Sequence, residues 1–212
     1  MQRQGVFTPY LCVLRGKQKV MWTKEIFGQE LYTVILWFLA YSMLGWLVES
    51  IYMTICNRKL TNRGFVRGPF CPIYGVGALM VYFALNSYTE NKLLLFVLGA
   101  ILASFIEFIT AIIMQKIFGE VWWDYHEKPF NYKGILCLES TIAWGFYTLV
   151  FFTVLQNVVD NMVNAIPMRV GKMIGSVLLI IFCLDFIYSL WKEKKSEIVR
   201  FKDSIKERIL RL

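Results

Sequence analysis

The chain has 212 residues, 57% of them hydrophobic and only 18% charged, with a mean hydropathy of +0.51 and a formal net charge of +8. That composition lies outside the range of soluble globular domains. It leaves no stretch over for a soluble catalytic domain, and the positive charge suits loops beside anionic lipid rather than nucleic-acid binding.

Residues 1–30 read as an N-terminal tail. Arg3, Arg15, Lys17 and Lys19 occur in it without an apolar run long enough for a signal peptide. Met21 is a second candidate start. Five apolar stretches of membrane-crossing length follow: Leu31–Ile55, Pro72–Tyr88, Leu93–Phe118, Ile135–Val159 and Met173–Trp191. They predict an all-α, polytopic membrane protein, a five-helix transmembrane bundle over residues 31–191. The second span is the shortest. Gly68-Pro69 and Pro72 mark its entry, and Gly75 and Gly77 loosen its first turns, so it reads either as a full span or as a broken or re-entrant one. No internal repeat is visible, unlike the duplicated plan of many secondary transporters.

Residues 192–212 read as a separate cytoplasmic tail. Ile198, Phe201, Ile205, Ile209 and Leu212 recur at helical spacing among many Lys and Arg residues. This predicts a basic amphipathic helix lying on the anionic inner leaflet or docking a partner.

Four of the five spans each carry one carboxylate: Glu49, Glu107, Glu139 and Asp185. A charge near the centre of a membrane helix costs about 3 kcal/mol on insertion scales, so such acids face a polar interior, pair, or stay protonated. Arg58, Lys59, Arg63 and Arg67, then Lys128 and Lys133, then eight Lys/Arg after Trp191 collect in segments on one side of the membrane. The positive-inside rule makes that side cytoplasmic, with the N-terminus outside. The four acids then lie roughly 6–17 Å below the same surface, at 1.5 Å per residue. One polar pocket open to the cytoplasmic half is the economical expectation, against the alternative that each acid bonds a structural partner of its own.

Helical faces point the same way. Tyr41, Gly45, Glu49 and Tyr52 share one side of the first helix. Gly99, Ala103 and Glu107 form a small-residue seam on the third, which lets a neighbouring backbone approach. The loops closing over the expected pocket supply Asn62, Arg63, Arg67 and Tyr74 from one side, and Trp123, Asp124, Asn131 and Lys133 from the other. Arg63 and Arg67 suit an anionic headgroup or the buried acids. The Trp and Tyr side chains suit the headgroup layer, and these loops can equally be interfacial anchors and lids.

Several chemistries are excluded. No G-x-x-x-x-G-K-[ST] phosphate loop is present, so the chain is not itself an ATPase of that type. The single histidine, His126, rules out multi-His zinc chemistry, and no G-x-S-x-G occurs. The five cysteines form no C-x-x-C pair, and no cofactor is expected.

Gly45-Trp46 with Glu49, the run Asn62-Arg63-Gly64-Phe65 to Gly68-Pro69, and Cys71-Pro72-Ile73-Tyr74-Gly75 make one block. Trp122-Trp123-Asp124-Tyr125 with Pro129-Phe130-Asn131 and Gly134 makes a second. Together they resemble the bacterial family described as Putative ABC-transporter type IV, over about residues 31–191. Lys133 falls where that resemblance expects a lysine, whereas His126 departs from the small polar residue expected there. The resemblance implies a permease-like integral protein of the bacterial cell membrane that needs a separate ATP-binding subunit. Membrane lipids and a second copy of the chain are the other expected partners. Three functions stay open: a permease-like subunit for a small polar solute or headgroup, an intramembrane enzyme acting on a lipid or lipid-linked phosphate, and a non-catalytic scaffold or regulator.

Overall fold

A computed structural model describes residues 22–62 and 65–210. Expectations for residues 1–21, for Arg63 and for most of the tail's apolar face fall outside the described residues. The chain enters through a two-stranded hairpin, β1 (Glu25–Ile26) against β2 (Gln29–Glu30), then runs directly into helix α1, Leu31–Asn57. Arg58 turns into the left-handed region at φ 50° and ends α1. A loop leads to α2, Pro72–Leu85, which begins with proline in its first turn, where no intrahelical N–H is needed. A short 3₁₀ turn (Asn86–Tyr88) follows, and the Asn91 side chain then accepts the Leu94 N–H at 3.0 Å to cap α3, Lys92–Phe118. Gly119, at φ 74°, terminates α3.

A second hairpin, β3 (Asn131–Tyr132) and β4 (Leu136–Cys137), prepares the next helix. Lys133 and Gly134 both take positive φ, 52° and 68°, between the Tyr132 carbonyl and the Ile135 N–H that bonds it at 3.0 Å. Two such residues are what a tight hairpin turn requires. Cys137 and Ser140 cap α4 reciprocally. Helix α4 (Leu138–Val150) continues through one π-helical turn, Phe151–Leu155, into α5, Gln156–Ala165. Helix α6 runs from Met168 to Leu210.

Four helical segments are long and apolar enough to cross a membrane: Leu31–Asn57, Lys92–Phe118, Leu138–Ala165 and Met168–Ser196. The all-α bundle expected from the sequence is therefore present, with one of its five helices short. Fourteen residues make α2 about 21 Å long, less than a hydrocarbon core of about 30 Å. Its glycines do not break it: Gly75 is buried against Ser42 and Phe38 of α1, and Gly77 faces open space. The tail backbone is helical to Leu210 and continues α6 without interruption.

The core has two parts. Trp22, Leu36, Trp37, Tyr41, Leu85, Leu95 and Val159 pack at the end where α1 and α6 begin. There Tyr32 closes against Gly171, and Phe27 of the hairpin meets Phe83 of α2. Leu39, Val66 and Phe70 form the second part, surrounded by Phe38, Phe65, Phe182 and Phe186. Outward-facing Val48, Ile55, Ile101, Leu184 and Ile187 are exposed, as suits a surface that meets acyl chains.

Candidate functional site

Both long loops sit at the same end of the bundle, and an aromatic cluster joins them. The Phe65 ring stacks on Trp122 at 5.2 Å, tilts against Phe118 at 5.6 Å, and meets Phe186 of α6 edge-on at 5.2 Å. Phe65 was not among the expected site residues, because sequence spacing carries no signal for a contact between two loops.

Each intramembrane acid reaches toward this loop end on partners of its own. Glu107, buried on α3, accepts the Trp144 Nε1–H from α4 at 3.0 Å and the Tyr125 hydroxyl from the second loop at 3.0 Å. Burial and then the neighbouring Glu107 charge hold the Tyr125 phenol well above its ordinary range, so it stays a neutral donor. Asp185 on α6 accepts the backbone N–H of Gly68 at 2.6 Å. Glu49 on α1 lies 4.0 Å from the Cys71 thiol and within hydrogen-bonding reach of Tyr74. Glu139, in the first turn of α4, pairs with Lys128 at 2.8 Å on an open surface. The Glu139 bond raises Lys128 above its ordinary value.

The remaining expected residues divide into frame and surface. Asn62 accepts the Trp46 Nε1–H at 2.6 Å and donates to the Arg67 carbonyl at 3.0 Å, which fixes the first loop. The Arg67 guanidinium lies over the Tyr188 ring, 4.4 Å from its centre. Trp123 donates to the Ile135 carbonyl at 2.9 Å. Asn131 donates to the carbonyls of His126 and Lys128 and accepts the Gly134 N–H at 3.1 Å, so it organises the second hairpin. Asp124 is exposed, accepts the His126 backbone N–H at 2.9 Å and contacts the His126 ring, and these bonds lower its pKa. Lys133 lies over the Tyr132 ring at 5.5 Å.

The small-residue faces carry the closest approaches. A methyl group at Gly45 would collide with the Tyr74 ring, so that ring occupies the α1 face between Tyr41 and Glu49. Gly99 admits Thr148 of α4 in the same way, and Ser104 bonds Thr141 nearby at 3.0 Å.

A second polar group lies toward the opposite end. The Tyr41 hydroxyl donates to Gln156 Oε1 at 2.6 Å in a buried bond immediately after the π-helical turn. Asp160, one turn on, lies near both Tyr41 and Tyr82. Sequence reasoning missed Asp160 because the apolar run ends at Val159 while the helix continues to Ala165, and it missed Gln156, inside that run, because a neutral amide carries no charge to single it out. Their four-residue spacing on one face was the available signal. Among the described residues, no group of three or more His, Cys, Asp or Glu side chains is arranged to hold a metal ion.

Chain crossings, lipid-facing apolar surface and loops fastened to intramembrane acids define a polytopic helical membrane protein. Residues 36–190 match the family described as Putative ABC-transporter type IV, and the chain belongs to that family. No curated protein and no solved structure matches it.

Proposed function

We propose that this chain is a permease-like membrane subunit that works with a separate ATP-binding subunit and passes a small polar solute along one face of α1. The observation that carries this reading is a polar stripe on that face. Gln156 and Asp160 lie beside Tyr41 at one level, and Glu49 with Tyr74 follows two turns further on. Glu49 is the group that meets a cation or relays a proton, and the Tyr74 ring packed on Gly45 stands between the two levels. The loop end, with its lysines and arginines, faces the cytoplasm and the N-terminus lies outside. Family membership supports the ATP-binding partner.

Reconstitution into liposomes with the ATP-binding subunit that co-purifies tests this. Solute flux is expected from the native chain, and Glu49→Gln should abolish it while protein abundance is kept. Absence of flux with every co-purifying ATP-binding subunit would overturn the proposal.

One observation favours a second reading, a scaffold without turnover. Glu107 and Asp185 are each already bonded inside the fold, as structural fasteners are. On that reading the variants that remove the acceptor, Glu107→Leu and Asp185→Leu, lose abundance, and no activity changes apart from it.

A further inference from the structure

The first loop and the last apolar turn of α6 line a half-open cavity of about 210 Å³, bounded by Asn62, Phe65, Arg67, Ser189, Lys192 and Glu193 among others. It is smaller than the roughly 300–1,000 Å³ typical of sites for drug-sized ligands, so it suits a headgroup and not a whole lipid. Its polar wall is built. Asn62 is held by Trp46 and by the Arg67 carbonyl, Arg67 is carried over Tyr188, and Ser189 is 4% exposed.

Two cationic residues, Arg67 and Lys192, and one acidic residue, Glu193, line this small space. A simple anion would be opposed by Glu193, and a simple amine by Arg67 and Lys192. A zwitterion satisfies all three, its phosphate accepting from the guanidinium and ammonium while its amine donates to the carboxylate. Depth agrees with a membrane source. Leu184, Ile187 and Trp191 present exposed apolar surface on the membrane side of the cavity, and Lys192, Glu193, Lys194 and Lys195 follow at once. That change of character, with Trp191 and Tyr188 at the boundary, marks the headgroup layer.

We infer that this cavity binds an aminoalkyl phosphate group of the phosphoethanolamine type. The inference stands independently of the transport reading, since none of its lining residues belongs to the α1 stripe.

The test uses the full chain purified in detergent, with ligand retention followed by native mass spectrometry. Four probes are compared: short-chain phosphatidylethanolamine, short-chain phosphatidylglycerol, free O-phosphoethanolamine and inorganic phosphate. Phosphatidylethanolamine should be retained over phosphatidylglycerol. Arg67→Gln with Lys192→Gln should weaken its retention about tenfold, the scale of lost hydrogen bonds to charged groups. Glu193→Gln should remove the preference between the two lipids without unfolding the protein, because the residue is partly solvent-exposed. Competition by free O-phosphoethanolamine would support the aminophosphate group with a soluble source, and retention of the lipid alone would support it with a membrane source. Equal competition by inorganic phosphate, or a lipid preference untouched by Glu193→Gln, would overturn the inference.

Discussion

Asp185 Oδ2 accepts the backbone N–H of Gly68 at 2.6 Å, tying the first loop to the last helix across 117 residues. The bond uses an acid inside a membrane span to satisfy a backbone donor that no secondary structure serves. Asp185→Asn retains an acceptor and should be tolerated. Asp185→Leu strands the N–H and should destabilise by about 1–3 kcal/mol, with faster protease cleavage in the loop. Equal thermal midpoints and cleavage rates for the two variants would show that the bond does not hold the loop.

Glu107 serves two donors, Trp144 and Tyr125, and is itself 6% exposed. Glutamine can accept from the indole and donate to the phenol oxygen, so Glu107→Gln should lower thermal stability only slightly. Glu107→Leu leaves two half-buried donors unpaired, at about 1–3 kcal/mol in all. Thermal unfolding in detergent distinguishes them, and a leucine variant as stable as the native chain would refute the fastening role.

Glycines with similar sequence settings should respond in opposite directions. Gly45→Ala drives a methyl group into the Tyr74 ring and should destabilise by about 1–3 kcal/mol, the usual range for overpacking. Gly77→Ala meets nothing within 4 Å and should be neutral or stabilising by about 0.5–1 kcal/mol through helix propensity. Unfolding curves that rank the two variants the other way would contradict the packing of α2 on α1.

Protonation of the second loop has a definite sign. Lys128 is raised above its ordinary 10.5 by Glu139, so its contribution is complete below pH 10.5 and is lost as pH rises through the higher folded value. Asp124 is lowered below its ordinary 3.8 by its bonds from His126, so its contribution is complete above pH 3.8 and disappears as pH falls through the lower folded value. Both groups are exposed and both effects should shrink in high salt. Protease cleavage in residues 124–134, measured against an unstructured peptide of the same sequence at each pH, should therefore accelerate at the alkaline extreme, and Lys128→Ala should remove that alkaline step. Persistence of the step in the variant would assign it elsewhere.

Much of this architecture is legible in the chain. Apolar run length locates the helices that cross, because a bilayer imposes one thickness on all of them. The terminators Arg58 and Gly119 act within one turn, so ends near them are sharp. Limits set by continuity are less legible. The helix spanning the fourth apolar run persists six residues past Val159, and α6 starts five residues before Met173, because backbone hydrogen bonds continue where side-chain hydropathy has already changed. That same difference hid Asp160.

From the sequence alone come the membrane setting, the all-α class, the acids placed in the spans, and the small-residue faces of the first and third helices, since each depends on local composition and helical period. Which group each acid serves was decided only in three dimensions. Glu107 on Tyr125 and Trp144, Asp185 on Gly68, Glu139 on Lys128, and Phe65 on Trp122 are contacts between segments whose approach depends on the packing of the whole bundle. A carboxylate in hydrocarbon must find a partner, but only the packed helices and loops determine which partner lies within reach.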